Sequence, residues 1–266
     1  MTNIDPVRLS TIEQDFKVSC LTPAPFAPNS LVEWKCKQAG HQWMASYIDL
    51  QIYKCYQCDP QDIEIVGNGS FAQSMSFTVA KLASDFSSGK ISNVGYLHNS
   101  NLHASIAAFF FTAVRNEFCL KVLSKKHPRL GLGRKRCLRG YQEYNTVGLV
   151  ENLYKVAEAN ISKFSIPGMD VKDFRLKFLE LKKAFVKQIE VRNKIAHGFS
   201  FYPVTNKKRK YNSQIANEIK SLGAGELENA YAIGSTFMAV AEKLIDDSPN
   251  GIKLGNHLLR DYILLV

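Results

Sequence analysis

The chain has 266 residues, enough for one or two domains with a substantial core, and 45% of them are hydrophobic, which excludes general disorder. Lys and Arg outnumber Asp and Glu by 34 to 24, and the net charge of +10 favours a polyanionic partner, nucleic acid first and an anionic membrane surface second. With Asp5, Glu13 and Asp15 near the start and no apolar core region after them, no secretory leader is expected, and the longest apolar run, Ile106 to Val114, is too short to cross a bilayer. A cytoplasmic protein with no membrane attachment is expected, its six cysteines thiols or metal ligands rather than disulfides.

Residues 1–29 carry Pro6, Pro23, Pro25 and Pro28 and read as an extended arm, with one short helix near Thr11 to Phe16. The segment 30–62 has a different character. Cys55 and Cys58 have the C-x2-C spacing that lets one tight turn present two thiolates to a tetrahedral ion, and Cys36 and His41 can supply the other two corners. Cys20 is the rival for the fourth corner. Leu31, Glu33 and Trp34 before this loop, and Trp43, Ala45 and Tyr47 after it, predict a hairpin too small to fold without metal. The segment resembles treble-clef or zinc-ribbon modules with a W-x-C-x-x-(C)-G-H-x-W … C-x-x-C signature. Ala39 stands where some members have Cys, which leaves His41 as the replacement ligand. A Zn2+ held by four protein ligands is structural, because no position stays open for water.

From residue 63 to 266 the pattern is mainly helical after a short strand or linker at Ile63 to Gly69. A first helix is expected over Phe71 to Phe86. A second, over Leu102 to Lys125, is apolar on most sides and is expected to be the centre of a bundle, although Arg115, Asn116 and Glu117 interrupt it. Lys125 to Tyr141 is a basic loop in which Arg134, Lys135 and Arg136 can contact a phosphate backbone or stay solvated. A third helix, Thr146 to Asn160, ends before Ser165-Ile166-Pro167-Gly168, and a fourth starts from Asp170.

That fourth helix carries Val171, Phe174, Phe178, Leu181, Phe185 and Ile189 at steps of three and four, one apolar stripe. Continued by fours, the stripe reaches Asn193 and His197, and Gly198 follows as a C-terminal cap. Arg192 completes a polar group in the last turn. An imidazole titrating near neutrality can move a proton, and a guanidinium fork suits phosphate oxygens. Together they are what cleavage of RNA by its own 2′-OH requires, with no metal in the route. At roughly 100° per residue, Arg192 and His197 diverge by about 140°, so they converge only through Arg192's length, an unwound last turn or a second copy of the chain. A buried Asn–His hydrogen bond beside a solvated Arg is the competing reading.

Arg192-Asn193-Lys194-Ile195-Ala196-His197-Gly198 resembles the R-x4-6-H motif of HEPN domains, down to the polar residue after the Arg and the Gly after the His. The resemblance implies a HEPN-like helical bundle and a metal-independent endoribonuclease completed by two units facing each other. Arg192 and His197 would be the catalytic pair and Asn193 an accessory group. It also implies a role in anti-phage defence or as a toxin, with an antitoxin or accessory subunit as a partner. HEPN-like bundles often place polar groups near the motif on the helix that here carries Arg115 and Glu117. These two would then support the site; otherwise they form an ordinary salt bridge on the solvated face. The alternative function is a non-catalytic RNA- or nucleotide-binding module, or a structural subunit of a defence complex.

Beyond the motif, Tyr202 can stack a base while Lys207, Lys208, Arg209 and Lys210 grip phosphates. Phe199 and Phe201 are expected to fold back on the core. Short and long helices are expected over Ser213 to Ser221 and Glu226 to Asp246, and the apolar end from Leu254 can cap the bundle or a dimer.

Overall fold

The computed structural model describes residues 3–52, 55, 99–126, 146–196, 213–221 and 224–246, with scattered positions between 75 and 90 and between 248 and 263. Asp5 caps the first helix by accepting the Arg8 backbone N–H at 2.8 Å, and Pro6 sits in the first turn, where no N–H is needed. The helix, α1 (Pro6–Asp15), therefore occupies much of what reads as an extended arm: the proline starts a helix instead of breaking one. Strand β1 (Val18–Cys20) then pairs antiparallel with β2 (Val32–Cys36), which pairs with β3 (Gln42–Ala45) in the order β1-β2-β3.

The expected hairpin is β2–β3. Its turn closes with Gly40 N–H donating to the Cys36 carbonyl at 2.9 Å, and Gly40 has φ +73°, a region glycine enters without steric cost. Register sets Trp34 opposite Trp43, and both are wholly buried. With Ile4, Ile12, Val18 and Phe26 they fill a small core of their own, to which α1 and β1 contribute.

The remaining described elements are helical: α2 (Tyr47–Ile52), α3 (Asn99–Lys126), α4 (Thr146–Asn160) with a 3-10 turn over Ile161–Lys163, α5 (Val171–Ala196), α6 (Ser213–Lys220) and α7 (Ala224–Ile245). The protein is thus mainly helical with one small three-stranded sheet. Described positions between 75 and 85 are helical, within the expected 71–86. The expected strand or linker at 63–69 lies outside the described residues.

Helix α7 shares the centre with α3: each packs against the other and against α2, α4 and α5, and α7 is buried at every position from Ala230 to Ala241. Its small residues, including Ala232, Gly234, Ser235 and Ala239, let neighbours approach closely, a property that apolar content alone does not reveal. A Cβ on Gly234 would lie 2.2 Å from Nδ2 of Asn116, which donates to the Ala230 carbonyl at 3.1 Å. Against this helix lie the aromatic residues of α5, with Phe237 centred 5.5 Å from Phe178 and 5.4 Å from Phe185.

A buried polar cluster joins the sheet module to the bundle. Asp49 of α2 and Arg115 of α3 form an ion pair with both side chains fully buried. Ser235 Oγ donates to Asp49 Oδ1 at 3.0 Å, the Ser46 backbone N–H donates to Oδ2 at 3.0 Å, and Tyr231 donates its hydroxyl proton to the same carboxylate. Arg115 also donates to Ser235 Oγ and Asn116 Oδ1, each at 2.9 Å, and its guanidinium lies 4.4 Å from the Tyr231 ring centroid. Burial alone would raise the Asp49 carboxyl, but the Arg115 charge and these bonds more than offset it and hold the carboxyl below its usual range. Burial pushes the Tyr231 hydroxyl the other way, well above 10.

Candidate active site

Helix α5 delivers the motif. Phe174, Phe178, Leu181, Phe185 and Ile189 are buried as the stripe predicts, while Val171 is half-buried. Beyond Ile189 the buried position is Val191, and Asn193 is half-buried. The physical reason is rotational: four residues turn the chain by about 400°, so each further step of four moves about 40° off the buried face. Asn193 has left that face. Helix α5 is described as far as Ala196; His197 lies outside the described residues.

Arg192 is anchored. Its guanidinium meets the Glu117 carboxylate of α3, and the two side chains are only 16% and 14% exposed. Lys121, one turn after Glu117, brings its ammonium to 3.0 Å from the other carboxylate oxygen. Two cations thus share one anion, a local excess of one positive charge among the described residues. Burial lowers the pKa of both Lys121 and Arg192. Among the described residues, Arg192 Nε is buried with no hydrogen-bond partner, as is Gln188 Oε1 one turn earlier on the same helix. Such orphaned groups cost on the order of 1–3 kcal/mol each unless something satisfies them.

Next to this group, Ile106, Ala107, Phe110 and Phe111 of α3 and Ile195 and Ala196 of α5 line an apolar groove of about 280 Å³. It lies against the turn that carries the motif.

Arg115 and Glu117 do not pair with each other, nor do they lie on a solvated face. Two residues apart on a helix, they point in nearly opposite directions. Arg115 goes into the Asp49 cluster and Glu117 to Arg192. Sequence reasoning did not identify Lys121; its spacing of four from Glu117 on an otherwise apolar helix is the signal that could have marked it. The remaining candidate RNA contacts, Arg134, Lys135, Arg136, Tyr202, Lys207, Lys208, Arg209 and Lys210, lie outside the described residues.

In the sheet module, His41 and Cys55 come together, with Nδ1 to Sγ at 3.5 Å. Two corners of a tetrahedral zinc site, one nitrogen and one sulfur, stand about 3.6 Å apart, so this pair fits the geometry of shared ligands. Cys36 is buried at the end of β2, and its N–H donates to the His41 carbonyl at 2.8 Å. Cys20 is engaged elsewhere, its Sγ donating to the Thr22 carbonyl at 3.3 Å, and burial raises its thiol pKa. Cys58 lies outside the described residues, among which no group of three or more His, Cys, Asp or Glu side chains gathers as a metal site.

Comparison with protein-family models, curated proteins and solved structures gave no match. Among the described residues, no helix is long and apolar enough to cross a membrane.

Proposed function

We propose that this chain is a metal-independent endoribonuclease of the HEPN type. The observation that carries the reading is Arg192: a guanidinium fixed by a partly buried carboxylate near the end of an amphipathic helix, with one N–H unpaired among the described residues, five residues before His197. His197 accepts the proton of a ribose 2′-OH, the freed oxygen attacks the adjacent phosphorus, and the 5′-oxygen leaves with a proton returned to it. Arg192 offsets the charge that builds on the phosphoryl oxygens, and Asn193 orients the reacting group. The products are a 2′,3′-cyclic phosphate and a 5′-hydroxyl.

A homodimer brings the two copies of the motif together in this reading, and the apolar groove beside the last turn of α5 supports such pairing. Defence against phage or toxin action, restrained by an antitoxin or accessory subunit, is the role implied. In the sheet module, Cys36, His41, Cys55 and Cys58 would hold a structural zinc, a reading supported by the His41–Cys55 distance. The ion would fix the hairpin and take no part in cleavage.

The Glu117–Arg192 pair also fits a second reading, in which the guanidinium is structural and the protein binds RNA or a partner without cutting. Cleavage assays on mixed RNA separate the two. His197→Ala is expected to lower the rate by a factor of about 10²–10⁴ while circular dichroism stays unchanged. Arg192→Gln is expected to cost about 10²–10³. Undiminished cleavage by a folded His197→Ala protein would defeat the catalytic assignment, and RNA retention without cleavage by the wild type would favour the second reading.

A further inference from the structure

The cation excess at Glu117 points to a binding role beyond the Arg192–His197 pair. Lys121 and Arg192 touch the two oxygens of a single carboxylate, so their charged groups stand within the span of neighbouring phosphates on one RNA strand. The Lys121 side chain is 26% exposed, more open than either of its partners, and its ammonium lies 4.6 Å from the Phe118 ring centroid. Among the described residues, one positive charge in the group has no ion-pair partner of its own. Arg192 Nε and Gln188 Oε1, one turn apart on α5, are buried without a hydrogen-bond partner among the described residues, so Glu117 alone does not satisfy the Arg192 end of the group.

We propose that Lys121 is a second phosphate-holding residue of the site, gripping a phosphate next to the one being cleaved while Glu117 bridges it to Arg192. The inference rests on the ribonuclease reading and names a substrate contact for that same site. In the free protein Glu117 prevents two half-buried cations from repelling each other. When RNA binds, its phosphates take over part of that compensation, and the contact is to backbone, so it is indifferent to base sequence. A structural i,i+4 bridge would give Lys121 no such dependence on ligand.

The test uses the full chain in a His197→Ala background, so that RNA is bound without being cut. Binding of a labelled single-stranded polyuridylate oligonucleotide is measured across a salt series. Lys121→Gln is expected to reduce the slope of log affinity against log salt by about 0.7, equivalent to about fivefold weaker binding at roughly 0.1 M salt. Lys121→Arg should restore both. A folded Lys121→Gln protein with its parent's slope overturns the proposal. Should Lys121→Gln fail to fold, the acetylation rate of Lys121 in the parent decides: RNA should protect the amine, and equal rates with and without RNA overturn the assignment. A wild type that neither binds nor cuts RNA removes the ribonuclease reading as well, whereas a wild type that cuts RNA with an unaltered Lys121→Gln slope removes only this inference.

Discussion

Replacing Asp49 by Ala removes the carboxylate shared by Arg115, Tyr231, Ser235 and the Ser46 N–H, and leaves a guanidinium with 0% exposure lacking its counter-charge. Removing one partner of a buried pair costs about 3–5 kcal/mol. For a chain of this size each kcal/mol moves the melting temperature by roughly 2–4 °C, so a fall of about 6–20 °C is expected. The assay can resolve the two parts of the molecule. Both of the chain's tryptophans, Trp34 and Trp43, lie in the sheet module, so fluorescence reports its unfolding while far-ultraviolet circular dichroism reports mainly the helices. In the wild type the two transitions should coincide, because the Asp49 cluster ties α2 to α3 and α7. In Asp49→Ala the fluorescence transition should come first. The pH dependence has a definite sign. The folded Asp49 pKa lies below its unfolded value of about 3.9, so its contribution is present above that value and is lost as pH falls through the folded one. The stability difference between wild type and Asp49→Asn should therefore be largest near neutrality and close below about pH 4. A loss under about 1 kcal/mol at pH 7, with coincident transitions in the variant, would refute this account of how the module is joined to the bundle.

Gly234→Ala reverses the usual helix preference: alanine ordinarily gains about 1 kcal/mol over glycine inside a helix, but here the new Cβ meets Asn116. A net loss of about 1–3 kcal/mol in urea unfolding is expected, and a stabilised variant would contradict the packing described. Purified protein should contain about one zinc per chain by elemental analysis. Cys55→Ser should lower that content and shift tryptophan fluorescence before helical circular dichroism changes; full-length protein with no zinc and a folded hairpin would remove the metal from the account. Glu117→Gln releases a negative charge from between two cations, so RNA affinity should rise while the cleavage rate falls, a split that a purely structural carboxylate would not produce.

The helices were the most legible part of the sequence, because the stripe from Phe174 to Ile189 repeats at a helical period and the structure buries those residues. Extending the stripe by strict fours to Asn193 failed because the true period is shorter than four. The β2–β3 hairpin was legible from its alternation. Helix α1 was legible only in its second half, where a short helix near Thr11 to Phe16 is expected, since Pro6 looks like a breaker until Asp5 is seen capping the turn it starts; strand β1 was not legible. The centrality of α7 was hidden by its small residues, whose value lies in close approach and not in apolar area. Arg115 was misread because its partner, Asp49, lies on a distant helix, and no local pattern announces a contact of that kind. The Glu117–Arg192 pair shares this difficulty, since the two residues are 75 positions apart in the chain.

The central claim is that a ribose hydroxyl cuts its own chain at Arg192 and His197. The most direct measurement compares one RNA with its fully 2′-O-methylated counterpart and analyses the ends of the products. The account predicts cleavage of the unmodified strand to 2′,3′-cyclic phosphate and 5′-hydroxyl ends, with no cleavage of the methylated strand. Equal cleavage of both strands, or 5′-phosphate ends from the unmodified one, would contradict it.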